Sequence, residues 1–419
     1  MNSSGDDDHK IKPDASIKAE GNGGMRNVMA LGVVSFFTDF STEMVLGVLP
    51  LFIVSSLGAS RAFLGVIEGS SELTSYAFRM VSGSLSDKVG KRKIFVIAGY
   101  SLSTITKPFF AASSGWFDAF VVRFGDRMGK GLRTAPRDAL IADSVQDSRA
   151  GKAFGLHRTI DQSGAIIGPV AAFALLQFID IRGIFLISLI PGAIAVLILV
   201  FFVKEVAIRR SLARTDILSN IDRVIRGNRA FILLLIITGI FGIGAFNFSF
   251  ILLRASDLGI ADTFIPLVYA TINVVHTAVG IPFGILADKV GKEKVLIIGY
   301  SVFAISTVFM LLFSDNTFYA YILAGVFGLY MGISETAQRA VVPKYVVSEL
   351  RGTAYGLYNV VIGTTFFAAN VVFGFLWDNF SLTTAVSYSV ITAIAAISGM
   401  FMFIRRYPPP NHPVRATLT

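Results

Sequence analysis

Polar residues come in bursts along this chain. Between the bursts run apolar stretches of about twenty residues, the length a helix needs to cross a bilayer core. Twelve can be drawn, at 27–55, 61–86, 93–113, 117–142, 153–178 and 183–203, then at 230–254, 262–287, 294–313, 317–342, 353–377 and 382–404. The pattern predicts an all-α membrane protein of twelve transmembrane helices. The remaining segments are a disordered polar tail over 1–25, a linker over 205–229 and a short tail over 406–419. Within the linker, "NIDRVIRGNRA" fits a short amphipathic helix on the inner leaflet.

Composition sharpens that picture. Hydrophobic residues make up 53% of the 419, and mean hydropathy is +0.67. Charged residues are 16%, where a soluble domain carries about 25%. The net charge of +9 is not read as a nucleic-acid footprint, because Lys and Arg fall in alternate connections. One set holds Lys88, Lys91, Arg92, Lys93, Arg149, Lys152, Lys204, the arginines from Arg209 to Arg229, Lys289, Lys292, Lys294, Lys344 and Arg351. The other holds Arg61, Arg182 and Arg254. The positive-inside rule makes the first set cytoplasmic and places both termini inside a plasma-membrane protein. The chain has no cysteine, which excludes disulfides, thiolate metal ligands and a cysteine nucleophile. No phosphate-binding Gly-rich loop and no metal-ligand spacing occurs, so neither an enzyme nor an ATP-driven pump is supported. The tail run "DDDH" reads as a solvated acidic stretch.

A repeat organises the spans. "GSLSDKVGKRK" at 83–93 returns as "GILADKVGKEK" at 284–294, and "GKAFGL" at 151–156 returns as "GTAYGL" at 352–357. Both offsets are 201 residues. The chain is therefore two halves, 26–204 and 230–405, of six helices each. An even number of spans leaves the halves in the same orientation, a parallel pseudo-symmetric repeat.

The repeated loop resembles the signature loop of the major facilitator superfamily, and the resemblance covers about residues 26–405. Gly83, Asp87, Lys88, Gly90, Lys91 and Arg92 match it in the first half. Gly284, Asp288, Lys289, Gly291 and Lys292 match in the second, where Glu293 departs from the basic consensus. Arg123, Gly131 and Asp143 are similar to a fourth-span motif whose arginine is tied to proton coupling. Gly164, Gly168 and Pro169 are similar to a fifth-span antiporter motif, with Ala171 and Ala172 where glycines are expected; close helix packing with a kink explains the same three residues. The strings "SFFTDFSTEM" and "GKGLRTAPRDALIADS" resemble a prokaryotic subgroup of the family, and the chain as a whole resembles drug- or metabolite-efflux members. The resemblance implies two six-helix bundles rocking about a midplane site. It gives Asp87 the role of a latch onto the opposite half, with Asp288 its weaker counterpart. A helix-end cap is the plainer alternative for both aspartates.

Ionisable residues at bilayer depth cost about 2.5–3.5 kcal/mol each on insertion scales, which makes them functional candidates. The first half is rich in them. Asp39 and Glu43 stand one turn apart, as do Glu68 and Glu72, with Tyr76 and Arg79 further along. Arg123, Asp126, Arg127, Lys130, Arg133, Arg137 and Asp138 fall on one arc of the fourth span, a face that cannot meet lipid. Asp39 and Glu43 are expected to face Arg127 and Lys130. These midplane groups are the candidate substrate and proton-coupling site, against a static charge network as the alternative. Arg137, Asp138, Arg158 and Asp161 are expected to form a structural or gating network. The second half offers Asn247, His276, Glu335 and Arg339, with Phe246 and Phe250 as candidate aromatic cavity wall.

The expected function is secondary transport of a small organic solute by alternating access, as proton-coupled efflux by a monomer. No cofactor is needed beyond the proton gradient, and the partners are the solute, protons and the bilayer. An uptake permease for an organic anion or metabolite is the second reading. A non-transporting sensor or scaffold on the same fold is the third.

Overall fold

The computed structural model describes residues 16–206, 217–312, 316–347 and 350–407, and all of its regular structure is helical. Backbone groups at bilayer depth have no water to bond, so each apolar stretch closes its own hydrogen bonds as a helix. The first half consists of Ser16–Leu46, Arg61–Val89, Arg92–Thr106, Trp116–Ser144, Asp147–Leu175 and the pair Ile181–Ile187 and Leu189–Phe202. The second consists of the pair Arg229–Gly244 and Phe248–Asp257, then Ile265–Val290, Lys292–Phe309, Phe318–Tyr345, Arg351–Asn379 and Leu382–Arg406. Eight helical stretches are long and apolar enough to cross a membrane by composition alone. The second, fourth, fifth and ninth spans fall short because they carry the charges discussed below.

Three boundaries differ from expectation. The first helix begins at Ser16, inside the segment expected to be a disordered tail, because extending an existing helix requires no new nucleus; residues 1–15 lie outside the described part. The amphipathic linker helix runs Ile217–Gly227, earlier than "NIDRVIRGNRA" would place it, and buries Val224; residues 207–216 and 408–419 are also outside the described part. The seventh span breaks over Ala245–Asn247, where the Asn247 side chain accepts from Ser249 N at 2.9 Å and caps the second segment.

Within each half, glycines let helices touch. A side chain on Gly164 would strike the Phe36 backbone, and one on Gly168 would strike Phe40 and Glu43. The antiporter-like motif thus packs the fifth span on the first. A side chain on Gly131 would meet the second span at Ser75, and one on Gly332 the eighth span at His276, each 201 residues on.

The halves meet along two interfaces, second span on eleventh and fifth on eighth. The repeat exchanges these two pairs. At the end away from the signature loops the closure is tight. Gly65 lies against the Asn370 backbone, and Gly374 against Arg61. Arg61 reaches Asp257 at 3.4 Å and Asp378 at 3.6 Å, and its guanidinium lies over Trp377 at 4.7 Å. At the signature-loop end the glycines of the repeated strings are unpacked. A Cβ added to Gly151, Gly155, Gly352 or Gly356 would meet nothing within 4 Å.

The signature loops are short turns, Gly90 and Lys91 in the first half and Gly291 alone in the second. Gly90 and Gly291 adopt φ of 74° and 102°, a region that suits glycine. Gly83 and Gly284 are not turn residues; they lie inside helices, beside Ala135 and Thr336. Asp87 is not on the opposite half in this structure. Its carboxylate is 63% exposed and sits 3.4 Å from Arg92, which pairs with Asp143 at 2.5 Å. Glu205 accepts from the amides of Arg92 and Lys93. In the second half Glu293 pairs with Lys344 at 2.5 Å. Position 92 plus 201 is 293, and 143 plus 201 is 344. The same bridge is kept with its charges exchanged, which explains the departure at Glu293. Among the described residues Asp288 has no arginine partner, since position 293 holds a glutamate.

Reversing one charge, Arg92→Glu, sets it against Asp143 and is expected to cost about 3 kcal/mol, the low end for breaking a buried pair. Adding Asp143→Lys restores the second-half arrangement and should recover most of the lost thermal stability in detergent. A double variant no more stable than the single one would show that the bridge does not hold this corner.

Candidate functional site

The fourth span starts with a strong cap. Asp118 accepts from Ser114 N at 2.9 Å, Ser114 Oγ at 2.9 Å and Gly115 N at 3.2 Å. Its next turns carry the charged arc into the bundle. Arg123, only 1% exposed, bonds Glu68 at 2.9 Å and Asp126 at 3.4 Å. Ser103 Oγ donates to Asp126 at 2.5 Å. Arg127 lies 3.5 Å from Glu72 and 3.9 Å from Asp126. Glu68, Arg123, Asp126 and Arg127 are all buried, and each has a partner of opposite sign. This part of the network is closed.

The rest is open. Asp39, Glu43 and Lys130 are half-buried. The charged neighbours of Asp39 are Asp161, Glu43, Lys130 and Arg133, none of them in a direct ion pair with it among the described residues. Glu43 takes a 2.5 Å hydrogen bond from Tyr269 of the second half, and its charged neighbours are Lys130, Arg127 and Arg123. Cations of the fourth span are thus charged neighbours of Asp39 and Glu43 without pairing with either among the described residues, and Glu43 is anchored across the halves. Arg133 is buried with its guanidinium over Tyr100 at 4.7 Å, and its Nη1 has no hydrogen-bond partner.

Two participants were not singled out in the sequence. Tyr269 is one. The other is Lys107, 1% exposed, which donates to Thr42 Oγ1 at 3.1 Å. Its signal was a lone cation before a proline in "STITKPFF". With Lys107 counted, these groups are five carboxylates (Asp39, Glu43, Glu68, Glu72, Asp126) and five cations (Lys107, Arg123, Arg127, Lys130, Arg133), and Asp161 and Arg79 flank them as one further charge of each sign. The cationic arc is balanced and leaves no excess to draw an anion.

Nearer the signature-loop end, the expected network of Arg137, Asp138, Arg158 and Asp161 is two networks. Arg137 bonds Asp138 at 2.9 Å and Ser35 at 3.3 Å, and Ser35 meets Tyr100 at 2.9 Å and His157 at 3.0 Å. Arg158 lies 3.9 Å from Asp161 and crosses to Glu335 at 3.4 Å. His276 sits 2.7 Å from the same Glu335. Gln162 to Thr277 and Asn273 to the Ala165 carbonyl also cross, at 3.1 and 2.9 Å. Arg339 is on the helix of Glu335; its side chain is outside the described part. Asn247 is a helix cap with its amide N bonded to Asn370 at 2.8 Å, not a cavity residue. Phe246 and Phe250 are core, not cavity wall. Phe246 stacks on Phe373 at 4.1 Å and meets Phe327 at 5.8 Å.

The repeat exposes the contrast. Glu68, Glu72, Arg123, Asp126, Arg127, Lys130 and Arg133 correspond, 201 residues on, to Tyr269, Asn273, Ala324, Phe327, Gly328, Met331 and Ser334. One half has an ionic core and the other an aromatic one, where Phe241 stacks on Tyr300 at 3.8 Å.

A sequence profile described as Major Facilitator Superfamily matches residues 31–254 and 233–418. An uncharacterized MFS-type transporter of Methanocaldococcus jannaschii is 33% identical over 391 residues, 90% of this chain and 94% of that protein. Multidrug resistance protein MdtG of Proteus mirabilis is 25% identical over 304 residues, 69% of this chain and 74% of that one. Among solved structures, the nucleoside transporter NupG superposes with a TM-score of 0.73 at 15% identity, over 92% of this chain and 100% of that one. A bacterial homologue of the human lysosomal transporter Spinster, inward-facing and unoccupied, gives 0.68 at 14%, over 92% and 96%. At these identities the two structures speak for the fold.

The closed and open parts of the cluster differ in what neutralisation costs. Glu68→Gln leaves Arg123 short of one partner and is expected to lose about 3–5 kcal/mol. Asp39→Asn and Glu43→Gln should stay within about 1 kcal/mol of the parent, since neither carboxylate completes an ion pair. Thermal unfolding of the three purified variants checks this. Equal losses in all three would make the whole cluster a structural brace.

Proposed function

The chain belongs to the major facilitator superfamily, a multi-pass membrane secondary transporter, and on that premise we propose that it exports a small organic solute in exchange for protons. One observation carries this reading. The Arg61 clamp joins the halves at one end, while at the other, read as the open end, side chains on Gly151, Gly155, Gly352 and Gly356 would meet nothing within 4 Å, with half-buried carboxylates between. That is one state of an alternating-access cycle, in which a midplane site faces one side at a time. The basic connections lie at the open end, so the state faces the cytoplasm and both termini are cytoplasmic. The membrane is the plasma membrane.

Proton coupling follows from Asp39 and Glu43. A carboxylate's proton affinity rises with desolvation and falls beside cations. Rocking the halves changes both for these two groups, because water reaches them from the open end and Tyr269 belongs to the moving half. The Gly83–Arg92 and Gly284–Gly291 loops are the gates. In the outward-facing state Asp87 would leave Arg92 and latch onto the opposite half. Efflux draws on the names of the MdtG relatives. The organic-anion uptake reading loses its main support, since five carboxylates balance the five cations.

Proteoliposomes loaded with a pH-sensitive dye test this with a panel of organic cations, anions and zwitterions. At least one class should drive solute-dependent proton movement in the parent. Asp39→Asn and Glu43→Gln should slow it at least about tenfold, a barrier change of ~1.4 kcal/mol. Unchanged proton movement in both variants would remove them from the coupling site.

A further inference from the structure

Lys107 brings the cations of the midplane cluster level with its carboxylates. We propose that Lys107 is a further coupling residue of the transport cycle, a buried amine that gains and loses a proton as the halves rock. The proposal rests on the proton-coupled reading above.

The third span is α-helical to Thr106 and then tightens into a 3₁₀ turn over Lys107–Ala112, where Pro108 supplies no amide donor. That turn holds the Lys107 side chain inside the bundle. An ammonium carries three donors, and one of them is placed, on the neutral oxygen of Thr42. Among the described residues no carboxylate comes within ion-pair distance of it. The charged groups facing it are Asp126 and Arg133 from the fourth span and Asp39 and Glu43 from the first. From the sixth span, Arg182 bonds the Ala111 carbonyl at the end of the same turn. Arginine does not give up its proton in proteins, and Lys130 is half-exposed to water. Lys107 is therefore the one fully buried cation of the cluster that can deprotonate.

The consequence is a linkage. With Lys107 protonated the cluster is neutral, five against five. When the ammonium releases its proton, an N–H bond breaks and the cluster is left with one net negative charge. That charge is avoided when the proton passes to Asp39 or Glu43 as an O–H, which leaves the cluster neutral, or is offset when a cationic solute group enters beside them. Either event ties the proton on Lys107 to what occupies the cavity.

The absence of cysteine allows a direct test. Cysteines placed at Gly155 and Gly356, where a side chain meets nothing within 4 Å, carry spin labels across the open end. Pulsed electron resonance then reads their separation in nanodiscs from about pH 5 to about pH 9, a range between free carboxylate and lysine titrations. The parent should shift between a long and a short distance. Lys107→Arg, charged at every pH, and Lys107→Met, never charged, should each fold and hold one distribution throughout. Lys107→Arg alone carries the test if Lys107→Met does not fold. A parent that moves while both variants follow the same pH profile would overturn the assignment of Lys107, as would full rescue of the profile by Lys107→Arg. A parent whose distance ignores pH would instead sink the proton-coupled reading itself.

Discussion

The structure depends on Arg123 being held between Glu68 and Asp126 at bilayer depth. A guanidinium cannot shed its charge, and an isolated ion in a medium of low dielectric is costly. Two carboxylates on adjacent helices must therefore stay at hydrogen-bond distance. That requirement fixes the second, third and fourth spans against one another, with Ser103 holding the far oxygen of Asp126. Around this closed part lie the groups that are free to change partners. Buried ion pairs are weak sources of stability but strong sources of specificity in some systems. Here the closed pairs brace the second, third and fourth spans, and Asp39 and Glu43 stand outside any ion pair among the described residues.

The duplicated halves have divided the work. The first keeps its charges; the second replaces them with aromatic, small and neutral residues and reaches across through Tyr269, Asn273, Thr277 and Glu335. Only at the signature loops do both halves carry the same device, and there its polarity is reversed, Arg92–Asp143 against Glu293–Lys344. Opposite polarity also prevents the two corner bridges from exchanging partners in a like-for-like way. The Arg61 clamp is the counterweight at the other end. It joins the second span to the seventh and eleventh, so opening that end requires breaking two ion pairs and a stacked contact together.

Much of this was legible in the sequence. Span positions followed from hydrophobic length, and halves from the 201-residue offset. The midplane charges stood out because lipid tolerates so few. What stayed hidden was pairing across distance. Glu293 looked like a lapse in a motif until Lys344 was seen beside it. Lys107 was an isolated cation in an apolar run, and nothing local tells whether such a residue snorkels outward or turns inward. Asn247 and Phe246 sat at the right depth for a cavity, but depth does not reveal direction. A helix break turned one into a cap, and the aromatic core absorbed the other. Asp87 shows a different limit: the motif marks its charge but not its partner, and here it faces Arg92 of its own half.

The central claim is that two rigid halves rock about the midplane cluster, so that one end closes as the other opens. Two label pairs measured on the same protein test it most directly. One pair, at Gly155 and Gly356, spans the signature-loop end. The other, at the exposed Phe178 and Phe380, spans the clamp end. The distances are compared between the parent and Arg61→Ala, which releases the clamp. Rocking predicts that the first distance shortens while the second lengthens in the clamp variant. Distances that stay fixed, or that change in the same sense at both ends, would contradict it.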